Sequence, residues 1–190
     1  MQRGTGTMTN FQGKKIAIFG IQGSGKTHMA KWLVRKHFKK AIVYKVTEDW
    51  DNEQVFRYSP KNKIGEFEDF GKFVLRAAKE GKIDCVVIDE ADMFFRTNYD
   101  LSPDWNELIL MHRHLNIAIV LISRRPQDIP TRIVESCHHL FIFKIEGANV
   151  FKKFSEIHKD IPLMLSSLVY EQHNFIWKEL GKNPVLHKEI

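Results

Sequence analysis

The residue types and spacing of one segment near the start of the chain suit phosphate chemistry. It reads Gly20-Ile21-Gln22-Gly23-Ser24-Gly25-Lys26-Thr27, which fits the pattern GxxxxGK[ST] and stands between an apolar run and a helical pattern. Glycine lets backbone N–H groups approach phosphate oxygens, and a helix N-terminus adds a positive dipole end. We therefore expect Lys26 to reach the β- and γ-phosphates of a nucleoside triphosphate, and Thr27 to bind Mg²⁺. The residues expected to line this nucleotide site are Gly20, Gln22, Gly23, Ser24, Gly25, Lys26, Thr27 and His28.

A pair of acidic residues forms the second candidate group. Asp89 and Glu90 directly follow the apolar run Ile83–Ile88, which only Asp84 interrupts, as expected for a strand buried on both faces. Such a strand brings a carboxylate to the carboxyl edge of the sheet, where open α/β sheets bind nucleotides. We expect Asp89 to hold Mg²⁺ through water and Glu90 to polarise an attacking water molecule. An acid pair at this place favours hydrolysis by water over transfer of the phosphate to a bound acceptor. The alternative to a catalytic pair is an ordinary strand end with surface acids.

A loop after another apolar run, Ile117–Ile122, carries the third candidate group. It contains Ser123, Arg124 and Arg125 before a proline, and we expect the preceding strand to neighbour the one that ends at Asp89. A polar side chain at its end would then lie beside the γ-phosphate. Ser123 or Arg124 is therefore a candidate sensor of the nucleotide, and the alternative is a surface loop with two solvated arginines.

Apolar runs of strand length alternate with helical patterns along the chain, which is typical of a parallel α/β sheet. The five predicted core strands are Lys15–Phe19, Ala41–Val46, Ile83–Ile88, Ile117–Ile122 and His139–Phe143. Helices are predicted over 27–39, from about Pro103, after Gly147, and where Phe67, Phe70, Phe73, Val74 and Ala77 share one face. The polar stretch Thr47–Lys63 is predicted to be a loop, and the segment from Tyr170 a small hairpin.

The composition is that of a soluble globular domain. Of 190 residues, 43% are apolar and 27% charged, and no apolar run approaches the ~20 residues of a membrane span. Two cysteines exclude a disulfide scaffold and favour a reducing compartment. The formal charge of +6 permits a polyanionic partner without requiring one. We expect a flexible lead over 1–12 and a single domain over 13–190.

Together these segments resemble the FtsK/HerA superfamily of motor ATPases. The resemblance is carried by the glycine-rich segment, the Asp89-Glu90 strand end, a helix with Arg113 and His114, and the loop Ser123–Pro130. It extends over about residues 15–144. Within the superfamily, the chain is similar to the genome-packaging ATPases of internal-membrane viruses, with Zot-type phage assembly ATPases as near neighbours.

The resemblance implies a RecA-like P-loop fold and a motor that uses ATP and Mg²⁺ to move double-stranded DNA, with viral genome packaging as the expected task. It also implies a homo-oligomeric ring, a hexamer or pentamer, in which a neighbour's arginine completes each site; Arg113 is the first candidate and Arg125 the second. The family often has Gln where this chain has Arg124, which changes the usual γ-phosphate sensor. Implied partners are capsid or portal-vertex proteins, and the implied location is the host cytoplasm or the virion, without membrane insertion.

Several alternatives remain open from the sequence. A nucleoside or nucleotide kinase shares the size, phosphate loop and sheet, although the acid pair argues against it. A nucleotide switch would need a base-reading NKxD motif, which Lys61-Asn62-Lys63 does not match. Among DNA motors, conjugation, segregation and phage extrusion are alternatives to packaging. Basic residues that could contact DNA phosphates are Lys61, Lys63, Arg96, Lys152 and Lys153.

Overall fold

One mixed sheet with helices on both faces is built from these alternating patterns. The computed structural model describes residues 9–51, 53, 55–61, 65–95 and 101–188. The strands in these residues are β1 (Lys15–Phe19), β2 (Ala41–Tyr44), β3 (Phe56–Tyr58), β4 (Cys85–Ile88), β5 (Ala118–Ser123), β6 (His139–Ile142), β7 (Phe175–Glu179) and β8 (Val185–His187). Their order in the sheet is β3-β2-β4-β5-β1-β6-β7-β8. The first six pair in parallel, and the hairpin β7–β8 extends the sheet in antiparallel orientation.

The helices pack on this sheet in two unequal layers. They are α1 (Lys26–His37), α2 (Phe67–Lys79), α3 (Pro103–Met111), α4 (Thr131–Glu135), α5 (Ala148–Ile157) and α6 (Ile161–Leu165). Alternation along β1 divides the core: Ile16 and Ile18 face the layer that contains α1, whereas Ala17 and Phe19 face the layer of α2 to α6. Every residue of β1 is buried, and the four residues after Lys15 are apolar, as expected for a strand covered on both faces of a parallel sheet.

All five predicted core strands are present, and the predicted C-terminal hairpin is also confirmed. The described sheet nevertheless has more strands than the five predicted. The hairpin joins the same sheet through β6 and β7, and β3 lies inside Thr47–Lys63, which was wrongly predicted to be all loop. β3 is three residues long, too short for a recognisable alternation of apolar and polar residues.

The buried face of helix α2 is displaced from the face that its five apolar residues predicted. Phe67, Phe70, Val74 and Ala77 are buried, but Phe73 is 53% exposed, so its predicted position on the buried face is wrong. Helical geometry explains this, because Gly71, Leu75 and Ala78 are also buried. At about 100° per residue they centre the buried face on the side of the helix away from Phe73.

The start of the described chain already belongs to the packed domain. Phe11, within the predicted lead 1–12, is 3% exposed and packs against His37 and His139, with ring centroids 4.7 and 4.8 Å away. Residues 1–8 of that lead lie outside the described residues. In the part of the chain that is described, none of the helices is both long and apolar enough to cross a membrane.

Candidate nucleotide-binding and hydrolysis site

Three neighbouring strands bring the three predicted groups to one edge of the sheet. β5 lies between β1 and β4, with Phe19 opposite Ser123 and Ile88 opposite Leu121. The glycine-rich segment therefore starts where Asp89 and Ser123 also stand, at the carboxyl ends of parallel strands. This is the edge at which open α/β sheets bind ligands.

The glycine-rich segment is tightly curled between β1 and α1. A Cβ on Gly20 would lie 2.4 Å from Ser24 Oγ and 2.8 Å from Phe143 Cβ, so only glycine fits at the turn out of β1. Ile21 N donates to the carbonyl oxygen of Lys144 at 2.9 Å, which ties the loop to the chain after β6. Gly25, at φ +110°, takes a conformation that L side chains avoid and leads directly into α1.

Lys26 is held inside the loop with unused donors. Its side chain is buried, and Nζ donates to the carbonyl oxygen of Ile21 at 2.9 Å. Burial lowers the pKa of the ammonium group, and the nearby carboxylate of Glu90 opposes that shift. An ammonium group has three N–H donors, and Ser24 Oγ is buried without a hydrogen-bond partner among the described residues. These groups fit a ligand that is rich in acceptor oxygens.

Asp89 is a buried carboxylate with one hydroxyl donor beside it. It is 3% exposed, and Thr47 Oγ1 donates to its Oδ2 at 2.9 Å. Burial raises the pKa of Asp89 to about 6, although the Thr47 hydrogen bond acts in the opposite direction. The ionised form would therefore be stabilised by a bound cation. Sequence reasoning missed Thr47, which lies three residues after the end of β2. Its place just beyond a predicted strand was the signal available.

Glu90 stands in a strained backbone conformation next to Asp89. Its φ is +50°, which is uncommon for a residue with a side chain and often marks a functional position. One carboxylate oxygen, Oε1, accepts a hydrogen bond from Arg124 at 3.3 Å, and both side chains are accessible to solvent, Arg124 more than Glu90. The loop after β5 and the acid after β4 are thus connected within one chain.

Ser123 is engaged by its own loop. It is 1% exposed, its hydroxyl donates to the carbonyl oxygen of Arg125 at 3.1 Å, and it accepts from Arg125 N at 3.3 Å. Of the two predicted sensors, Arg124 is therefore the one whose side chain is exposed at the site, since Ser123 is occupied in shaping the turn.

The two arginines predicted to act on a neighbouring subunit lie at opposite ends of the strands, Arg125 at the carboxyl ends and Arg113 at the amino ends. Arg125 is exposed on the loop after β5, close to the site. Arg113 is in the turn after α3, not on the helix as predicted, because α3 ends at Met111. Its backbone lies 3.6 Å from where a Cβ on Gly13 would be. Arg113 is therefore beside the amino end of β1 and is not brought to the site of its own chain.

The oxygen donors at the site fit Mg²⁺ in the way that nucleotide-dependent enzymes hold it. Thr27 supplies a hydroxyl in the first turn of α1, and Asp89 a carboxylate across the edge. Within the described residues there is no cluster of three His, Cys, Asp or Glu side chains that could hold a metal by itself. Mg²⁺ is usually bound by one or two protein oxygens together with phosphate oxygens and water, so the donors present match that pattern.

A cleft of about 1000 Å³ opens from the glycine-rich segment. Residues of the segment and of the first turns of α1, including Thr27 and His28, line one side of it. Glu171, Gln172 and His173, from the turn that precedes β7, also line the cleft. Sequence reasoning missed this turn, because its contact with the segment spans 149 positions along the chain and no local pattern signals it.

Comparison with solved structures shows where this fold occurs. The genome packaging NTPase B204 from Sulfolobus turreted icosahedral virus 2, in complex with ATP-gammaS, matches with a TM-score of 0.80 at 16% identity, over 94% of this chain and 98% of that chain. The N-terminal domain of zonular occludens toxin from Neisseria meningitidis matches with a TM-score of 0.56 at 11% identity, over 94% and 95%. The pCW3 conjugation coupling protein TcpA matches with a TM-score of 0.62 at 14% identity, over 93% of this chain and 60% of that chain. The RecA-like fold predicted from the sequence is confirmed.

Comparison of sequences identifies the family. No curated protein is significantly similar in sequence to this chain. A family model described as an AAA domain, however, matches residues 9–127. That match covers more than half of the chain and includes the glycine-rich segment, the two acids after β4 and the first part of the loop after β5. The chain therefore belongs to the AAA domain family of P-loop ATPases.

Proposed function

We propose that this P-loop ATPase is a Mg²⁺-dependent motor that couples ATP hydrolysis to the movement of double-stranded DNA, with packaging of a viral genome as its task. The observation that carries the proposal is that Lys26, at the start of α1, lies near Asp89, Glu90 and Arg124 at the carboxyl edge of the sheet. A packaging NTPase with the same fold over almost its whole length supports the choice of motor.

In the proposed reaction, water attacks the γ-phosphorus of ATP. Lys26 and the loop amides hold the phosphates, and Thr27 and Asp89 hold Mg²⁺, which when bound offsets charge on the phosphate oxygens. Glu90 orients the water and accepts its proton as the new P–O bond forms and the bond to the β-phosphate oxygen breaks. The products are ADP and inorganic phosphate.

An arginine from a neighbouring subunit would complete the site and make hydrolysis depend on assembly. Arg125 is exposed on the same loop as Arg124, and Arg113 lies at the opposite edge of the sheet. A residue that acts on a neighbour's nucleotide must be remote from the nucleotide of its own subunit, and Arg113 meets that condition. An arginine supplied in this way can raise the rate about 10³-fold or more.

A homo-oligomeric ring, hexamer or pentamer, would surround the DNA and grip its phosphates. Of the five basic residues considered from sequence, Lys61 and Lys152 are exposed, and they remain candidates. Lys153 is not available for this role, because it is buried and its Nζ donates to Thr131 Oγ1 at 2.9 Å. Lys63 and Arg96 lie outside the described residues.

The motor would bind capsid or portal-vertex proteins, either in the host cytoplasm or on the virion. The formal charge of +6 suits a polyanionic substrate bound through sequence-independent phosphate contacts.

The test is the steady-state rate of ATP hydrolysis with and without double-stranded DNA, measured together with the mass of the oligomer. We expect DNA to raise the rate several-fold, and only at protein concentrations where a ring forms. Lys26→Ala should abolish hydrolysis with and without DNA. A rate that depends on an added nucleoside or nucleoside monophosphate, and not on DNA, would instead identify a kinase.

A further inference from the structure

We infer that the turn Tyr170–His173 forms the binding site for the nucleoside part of the nucleotide, with the imidazole of His173 as the surface on which the base stacks. This inference rests on the proposed function, since it concerns the same ATP. No sequence motif points to the turn, which is brought to the site by the fold alone.

The direction of a bound triphosphate follows from the strand order. β1 carries the phosphate loop and has β5 and then β4 on one side, and β6 and then β7 on the other. The reacting γ-phosphate must lie on the β4 side, because Asp89 and Glu90 stand there. The α-phosphate and the nucleoside attached to it must then extend toward β6 and β7, and the turn directly before β7 is Tyr170–His173.

The turn lies directly against the phosphate loop. A Cβ on Gly23 would be 2.2 Å from Tyr170 Oη, so the tyrosine hydroxyl sits close to the loop backbone. His173 Nδ1 is 3.3 Å from the carbonyl oxygen of Ser24; since a carbonyl only accepts, Nδ1 is the donor. A nucleoside leaving the loop on this side would therefore meet the turn.

The turn is also preorganised. Asn174 is buried, its Oδ1 accepts from Val169 N at 2.8 Å, and its Nδ2 donates to the carbonyl oxygen of Ser167 at 3.0 Å. His173 occupies the left-handed region at φ +48°, a conformation that persists only when its surroundings hold it. Preorganised groups bind with a smaller loss of conformational entropy.

The chemistry of the cleft matches a base and a ribose. His173 is exposed and offers an aromatic ring, while Gln172 and Glu171 beside it supply amide and carboxylate groups for the polar edges of the ligand. His28, in the first turn of α1, faces the same cleft. Flat apolar faces combined with a few polar groups are the usual lining of small-molecule sites.

The inference separates binding of the nucleoside from binding of the phosphates, and calorimetry can measure the two separately. The variant is His173→Asn, since Asn tolerates left-handed backbone and its amide N–H can donate to the Ser24 carbonyl in place of Nδ1. Titration with MgADP and with Mg-tripolyphosphate compares a ligand that has a nucleoside with one that lacks it. His114→Asn, an exposed histidine in the turn after α3, is the matched control.

We expect His173→Asn to weaken MgADP binding about tenfold, the effect of losing one base-stacking ring, and to leave tripolyphosphate binding within twofold. His114→Asn should change neither. If His173→Asn weakened both ligands equally, the turn would only support the phosphate loop and the inference would be wrong; unchanged MgADP binding would overturn it as well. If the unmodified protein bound neither ligand, the proposed function itself would fail.

Discussion

At the scale of single residues, both acids after β4 are engaged by other side chains of the same protein. Thr47 donates to Asp89, and Arg124 pairs with Glu90. The first contact favours the ionised form of a carboxylate whose pKa burial raises. The second joins the residue proposed to activate water to the loop proposed to sense the γ-phosphate. The first contact therefore gives Thr47, a residue outside the recognised motifs, an influence on the reaction.

Replacing Thr47 with Val removes the hydroxyl and keeps the shape of the side chain. Because Asp89 would lose the hydrogen bond that orients its carboxylate and favours its charge, we expect the concentration of Mg²⁺ needed for half-maximal ATP hydrolysis to rise about tenfold. Partners that orient a metal ligand commonly have effects of about 10- to 100-fold. The rate at saturating Mg²⁺ should change much less, and a Mg²⁺ titration of the ATPase rate measures both.

Thr47→Ser is the matched control, since it keeps the hydroxyl and should titrate like the unmodified protein. Identical Mg²⁺ curves for the Val and Ser variants would show that the Thr47–Asp89 contact has no part in binding the metal.

At the scale of secondary-structure elements, the sequence predicted what local patterns encode. The glycine-rich segment and the apolar runs of β1, β4 and β5 are local signals, so the loop that leads to Lys26 and the strand end at Asp89 could be predicted. Short elements and contacts between distant segments could not be predicted. β3 has only Phe56, Arg57 and Tyr58 to signal it, and the contact of His173 with Ser24 joins segments that are far apart in the sequence.

The packing of α2 on α3 depends on a glycine. A Cβ on Gly71 would lie 2.5 Å from Nε1 of Trp105, a fully buried side chain whose Nε1 donates to the carbonyl oxygen of Phe67 at 3.0 Å. The indole cannot move aside without losing this hydrogen bond. The two helices can therefore approach this closely only because position 71 has no side chain.

We expect Gly71→Ala to lower the free energy of unfolding by about 1–3 kcal/mol, as overpacking does. This is opposite in sign to the stabilisation of up to about 1 kcal/mol that Ala gives over Gly inside a helix. Urea denaturation measures the change. Lys72→Ala, at the exposed neighbouring position, should stay within about 0.5 kcal/mol, and a stabilised Gly71→Ala protein would show that the helices do not pack this closely.

At the scale of the whole molecule, two buried histidines couple stability to pH. Burial lowers the pKa of His112 to about 4, and the charges of Lys15 and His138 act in the same direction. Burial also lowers the pKa of His139 to about 4, with Glu179 acting in the opposite direction. Between about pH 6.5 and pH 4 the unfolded chain binds protons at these positions that the folded chain does not. Stability is therefore complete above the unfolded pKa and falls as the pH is lowered.

We expect the free energy of unfolding to fall by roughly 2 kcal/mol per histidine between pH 7.5 and pH 5. Urea denaturation at the two pH values measures this loss. His112 supplies one of two equal contributions to this loss. His112→Gln should therefore remove about half of the loss of unfolding free energy that the two histidines cause, whatever the substitution does to stability at pH 7.5. An equally steep pH dependence in this variant would show that His112 is protonated as easily in the folded as in the unfolded protein.

The proposed ring that moves DNA also belongs to this scale, because ATP hydrolysis at the site of each subunit would drive it. Steady-state ATP hydrolysis by Glu90→Gln in the presence of double-stranded DNA tests the role of this site most directly. Its control is Glu135→Gln, which changes an exposed carboxylate. The neighbouring Ser136 accepts a hydrogen bond from Lys15, so Glu135 lies at the amino ends of the strands, away from the site. We predict that Glu90→Gln lowers the rate at least about 100-fold, the lower range for loss of a general base, while MgATP still binds and Glu135→Gln behaves as the unmodified protein. A Glu90→Gln protein that hydrolyses ATP at the normal rate would contradict the assignment.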